Sequence, residues 1–201
     1  MVRFYYGMPP ESPAPLLNPR KLEIDYSYLH VWAALLGTLA IGPLLYFLCR
    51  LKFENSTIFG IFELGPFSFL GLLAAIIVLH EIIHLVAQPH MGLSNESYFG
   101  FLPKSFLAYA AYLGLLSRSR FLFIAAMPFF VITMLPIGAG LLGWIPENIV
   151  PIALGAAILN GMASSGDMLI SAIHLKRVPR NAMLFGSYYG TPQNDSAGKP
   201  D

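Results

Sequence analysis

The chain has 201 residues, 56% of them hydrophobic and only 11% charged, with a formal net charge of +1. An ordinary soluble domain carries about 25% charged residues, so this composition excludes one and predicts an all-α polytopic membrane protein of about four transmembrane helices. The near-neutral charge, with no basic stretch interleaved with aromatics, argues against a nucleic-acid partner. The lone Cys49 excludes an internal disulfide and a multi-cysteine zinc site.

In chain order, residues 1–27 read as a cytoplasmic tail, because prolines at 9, 10, 13, 15 and 19 prevent a long helix. The tail lacks the apolar core of a cleaved signal peptide, so the first spanning helix is expected to act as the insertion signal. Residues 28–175 read as one membrane-embedded domain. Its four apolar runs, at about 29–49, 66–88, 121–144 and 149–173, are each near the ~20 residues that cross ~30 Å of hydrocarbon. Pro128 and Pro136 should kink the third run. Between helices two and three, residues 98–102 and 106–112 are rich in strand-favouring aromatics, and predict either a short β segment or a re-entrant one. Residues 176–201 read as a disordered cytoplasmic tail. With both termini inside, the cytoplasmic side holds Arg3, Arg20, Lys21, Lys104, Arg118, Arg120, Lys176, Arg177, Arg180 and Lys199, against Arg50 and Lys52 outside. That asymmetry is a positive-inside signal for a multi-pass protein in the lipid bilayer.

The second run contains His80-Glu81-Ile82-Ile83-His84. Helix positions four apart lie one above the other, about 5–6 Å between Cβ atoms, so the two imidazoles can grip one zinc ion. Glu81, about 100° round the helix, can act as general base toward a water on the metal. Within 66–88 these three are the only ionisable residues. A carboxylate near the middle of a bilayer costs several kcal/mol or more, so it implies function.

A catalytic zinc takes three protein ligands and leaves one position open. Of the eleven acidic residues, only Glu81 and Asp167 fall inside predicted spans. Glu81 lies about 10 Å, and Asp167 about 9–14 Å, from the cytoplasmic ends of their helices. This agreement favours Asp167 as the third ligand, and Gly161, Ala163, Ser164, Ser165 and Gly166 would let the helices approach closely. His90, six residues beyond His84, and His174, on the helical face of Asp167, remain alternatives. Asn160, two turns deeper than Asp167 on the same face, is a candidate catalytic amide that would hydrogen-bond substrate backbone or a developing oxyanion, with a helix-packing amide as the equal alternative.

The residues His80-Glu81-x-x-His84, and Asn160 with Ser165-Gly166-Asp167, resemble the putative zincin peptidase family of small bacterial membrane proteins, similar in layout to the site-2 class of intramembrane metalloproteases. Leu116-Ser117-Arg118-Ser119-Arg120-Phe121-Leu122 and Met127-Pro128 carry the likeness through the intervening helix, over about 70–173. Site-2 proteases usually show Asn-Pro-x-Pro before Leu-Asp-Gly, whereas Asn160 here precedes Gly161, and Asp167 lies between Gly166 and Met168. The resemblance implies Zn2+ as cofactor and hydrolysis of peptide bonds in a membrane-protein or peptide substrate near the cytoplasmic face. A non-catalytic metal-binding scaffold or assembly partner with the same fold is the alternative, and a metal transporter a weaker one.

Overall fold

The structure is a computed structural model, described here for residues 2–7, 15–103 and 107–193. Pro9, Pro10, Pro13, Lys104, Phe106, Lys199 and the tail from 194 onward, all used in the reading above, lie outside the described residues. Among those described, four helices are long and apolar enough to cross a membrane: α1 (Tyr26–Arg50), α3 (Pro66–Ala87), α4 (Arg118–Leu141) and α5 (Val150–Arg177). A short helix, α2 (Asn55–Phe59), precedes α3.

The all-α expectation is overturned. Among the described residues seven strands form two sheets, so the fold is mixed α/β. The first sheet has the order β1 (Arg3–Tyr6), β3 (Ser97–Leu102), β4 (Leu107–Tyr112), with β1 parallel and β4 antiparallel to the central strand. The second has the order β2 (Leu16–Lys21), β7 (Tyr188–Pro192), β6 (Met183–Phe185), β5 (Leu116–Ser117), antiparallel throughout. Both segments read as tails therefore supply strands. Their partners are distant in sequence: Arg3 bonds to Tyr98 across 95 residues, and Thr191 to Leu17 across 174. Pro19, which lacks an N–H, is tolerated because β2 is an edge strand with an irregular register between Leu17 and Arg20.

The chain divides into two compact units, one of Asp25–His84 and Ala125–Ile170, the other of Met1–Ile24, Leu85–Ile124 and Ser171–Asp201. The first unit is helical. Asp25 caps α1 by accepting from the backbone N–H groups of Ser27 and Tyr28. The α1 helix widens to a π turn at Gly37–Ile41, and α4 does so at Phe129–Met134, directly after Pro128 removes a backbone donor. The α5 helix is interrupted by a turn at Ser164. Glycines allow the close approaches: a Cβ on Gly37 would lie 2.5 Å from the carbonyl oxygen of Met162, and one on Gly155 would lie 2.5 Å from the Ile61 side chain. Leu45, Cys49, Ile58, Ile137, Val150, Leu154 and Ala157 form the core. By contrast α3 leaves Phe67, Leu70, Ile77, Val78, Leu79 and Ile82 exposed, an apolar surface on a helix long enough to cross a membrane.

The second unit holds both sheets and helix ends. Gly100 faces Tyr109 across the β3–β4 pair, where any Cβ would meet the ring, and the Tyr109 hydroxyl donates to the Gly7 carbonyl at 2.5 Å. Burial, with the Glu96 carboxylate 2.6 Å away, pushes the Tyr112 hydroxyl up to about 12. Two arginines at the start of α4 satisfy orphan carbonyls. Arg118 donates to the carbonyls of Val178 (2.9 Å) and Leu175 (3.4 Å) around the end of α5, and Arg120 to that of Ala87 (2.8 Å) at the end of α3. Beyond α3 the backbone turns away through His90, Met91 and Gly92, all at positive φ.

Candidate metal centre

The three residues that could hold a metal, His80, His84 and Asp167, lie within the helical unit. His80 and His84 are one turn apart on α3, and both send Nε2 to one point, the two atoms 3.1 Å apart. From α5, just past the turn at Ser164, the Asp167 carboxylate meets them with one oxygen each. Oδ2 is 3.1 Å from His80 Nε2, and Oδ1 is 3.5 Å from His84 Nε2. Among the described residues, this is the group of three whose potential metal-binding atoms all lie within 4.8 Å of one another. The side chains are mostly enclosed, at 12% exposure for His80, 11% for His84 and 24% for Asp167.

The donor chemistry fits a zinc ion. Bonds of about 2.0–2.2 Å to a tetrahedral metal place neighbouring ligand atoms about 3.3–3.6 Å apart, close to the separations found. The hydrogen bonds around His80 add a second test. Its Nδ1 lies 2.9 Å from Oδ1 of Asn160, whose Nδ2 donates to the Pro128 carbonyl (3.1 Å) and the Thr133 hydroxyl oxygen (3.0 Å), and more loosely to Ser164 Oγ (3.4 Å). A carbonyl only accepts, so the amide nitrogen must face Pro128 and the amide oxygen must face His80. Nδ1 then carries the hydrogen, and a neutral imidazole with that tautomer leaves an electron pair on Nε2. Two electron-rich atoms, His80 Nε2 and Asp167 Oδ2, therefore converge at 3.1 Å, an arrangement that a cation relieves.

The remaining candidates occupy other settings. Glu81 is partly buried, next to His80 on α3. His90 is exposed, in the turn that follows α3, with φ 55°. His174 stacks on Phe121 with ring centroids 3.9 Å apart. Asn160 has zero exposure, and its amide is fully engaged by His80, Pro128 and Thr133 rather than open to a substrate. Sequence reasoning passed over Thr133. Its signal was available: it is the only hydroxyl in the apolar run 121–144, and a polar group at such depth requires a partner. Here it has two, donating to the Ala157 carbonyl at 3.0 Å while accepting from Asn160.

Residues 72–183 match the family described as putative zincin peptidase. No curated protein and no solved structure matches the chain. The family match covers more than half of the chain and runs from before His80 to beyond Asp167, through both helices that carry the three converging side chains. The chain belongs to the putative zincin peptidase family.

Proposed function

We propose that this protein is a membrane-embedded zinc metallopeptidase that hydrolyses peptide bonds of membrane-protein or peptide substrates near the cytoplasmic face. The observation that carries this reading is the convergence of His80, His84 and Asp167 on one point within two helices of membrane-spanning length. These three would hold the metal. A zinc ion there supplies Lewis acidity and makes water a nucleophile near neutral pH. Glu81 would accept a proton from an attacking water and return it to the departing amine nitrogen as the C–N bond breaks. It stands next to a ligand in sequence without being needed as one, which favours catalysis over a scaffold role. The α3 surface, apolar on the sides it leaves exposed, suits lipid contact. An extended stretch of substrate is required, because the peptide bonds of an intact helix are shielded. Edge strands such as β4 are the kind of element that accepts one.

The test pairs metal analysis with a conservative variant. Purified wild type should carry zinc and His80→Ala should lose it. Glu81→Gln should keep zinc and membrane insertion, while substrate processing falls by about two orders of magnitude or more. Substrates are sought by comparing membrane proteomes of cells carrying wild type and variant. Identical cleavage products from the two forms would defeat the protease reading.

A further inference from the structure

We propose that Thr133 and Asn160 are positioning residues for the metal centre: together they hold His80 in the tautomer that presents Nε2 to the metal. The inference rests on the metal reading above and adds a device that reaches back to the π turn of α4.

The direction of every hydrogen bond in the chain of contacts is determined. The Ala157 carbonyl only accepts, so the Thr133 hydroxyl spends its single hydrogen there, at 3.0 Å. The Thr133 oxygen therefore faces Asn160 as an acceptor. Pro128 offers a second acceptor, its carbonyl, and the two hydrogens of Asn160 Nδ2 are drawn to these two sites. What is left to Asn160 is an acceptor, Oδ1, aimed at His80 Nδ1 from 2.9 Å. A histidine ligand usually owes its ring orientation and tautomer to such a partner on its other nitrogen. All of it is dry, with Thr133, Asn160 and Ser164 at zero exposure.

The backbone explains how one helix supplies both acceptors. Residues five apart in an α-helix sit about 140° from each other round the axis. Pro128 and Thr133 are five apart, and the π turn that follows Pro128 replaces that geometry with i→i+5 stacking. Its widened turn brings the carbonyl and the hydroxyl to the same amide. Without the Thr133 hydroxyl, one amide hydrogen has no strong acceptor, and the amide loses part of what prevents it from turning over. A turned amide presents N–H to Nδ1. The ring's own N–H then moves to Nε2, where it blocks the metal.

The experiment uses the full chain in detergent micelles, stripped of metal and titrated with zinc against a chromophoric chelator. Thr133→Val keeps the shape and removes the hydroxyl, and zinc affinity should fall about 10–100-fold, the usual cost of losing a partner behind a metal ligand. Thr133→Ser should restore it. Thr133→Ala is the second hydroxyl-free variant, read in the same way if the valine variant fails to fold. A merely structural role would lower the melting temperature of the metal-free variants and leave zinc affinity alone. Zinc affinity equal to the parent in a folded Val or Ala variant overturns the assignment by itself. A parent protein that binds no zinc overturns the metal reading, and this assignment with it.

Discussion

Replacing Asp167 by alanine removes the only carboxylate of the trio. Its two oxygens are divided between the histidines, 3.1 Å to His80 and 3.5 Å to His84, so neither imidazole has a second anion in the group. Structural zinc sites with four ligands bind with apparent free energies of about 10–16 kcal/mol near pH 7, or about 2.5–4 kcal/mol per ligand if shared equally. At about 1.4 kcal/mol per tenfold, Asp167→Ala should weaken zinc binding by about 10²–10³-fold. Asp167→Asn should lose most of the same amount, because the amide keeps the size and loses the charge. The assay is chelator competition on purified protein, with Asp25→Ala as control. That carboxylate caps α1 and should cost only about 0.5–2 kcal/mol of helix stability, without changing zinc affinity. If Asp167→Ala holds zinc as tightly as wild type while His80→Ala and His84→Ala release it, Asp167 is not a ligand and the geometric reasoning fails.

Two further expectations concern placement in the bilayer and packing. Reporter fusions after residue 201 and within 90–120 should read cytoplasmic and one near Glu147 external; a cytoplasmic signal at Glu147 would refute the charge-based orientation. Gly37→Ala, whose new Cβ would lie 2.5 Å from a backbone oxygen, should destabilise the detergent-solubilised protein by about 1–3 kcal/mol. Gly71→Ala, with nothing within 4 Å of the added carbon, should be neutral or stabilising by up to about 1 kcal/mol. Equal melting temperatures for the two variants would refute the close-packing argument.

The four helices of membrane-spanning length were legible because twenty or so apolar residues in a row have few alternatives. The sheets were legible only in part: the strand-favouring stretches at 98–102 and 106–112 fall on β3 and β4, whereas the strands near both ends of the chain went unread. In β1 the four residues Arg3-Phe4-Tyr5-Tyr6 carry no local signal strong enough to stand against the nearby prolines, and what makes them a strand is β3, almost a hundred residues later. The C-terminal Tyr188-Tyr189-Gly190 is strand only because β2 and β6 flank it. The site divides in the same way. His80 and His84 are joined by helical periodicity and could be read locally. Asn160 could be located on its face, but whether its amide meets a substrate or a histidine depends on what stands behind it. That is Pro128 and Thr133 on a third helix, whose altered turn is not apparent from composition.

The arginine steps at the start of α4 have a bearing on how the second unit tolerates its surroundings. Arg118 and Arg120 grip the ends of α5 and α3 through carbonyl oxygens rather than through acids. A guanidinium keeps its charge at any ordinary pH and a carbonyl has none to lose, so acidification that would release an ion pair leaves these contacts in place. Residue 118 cannot shift freely along the helix, because Arg118 reaches two carbonyls, at 175 and 178, from the single nitrogen Nη1. Nor does the interval between the two arginines admit an extra residue. An insertion at Ser119 would turn one of them about 100° round α4 and leave a helix end uncapped. Spacing along this stretch is thus held by the two helix ends that the arginines cap.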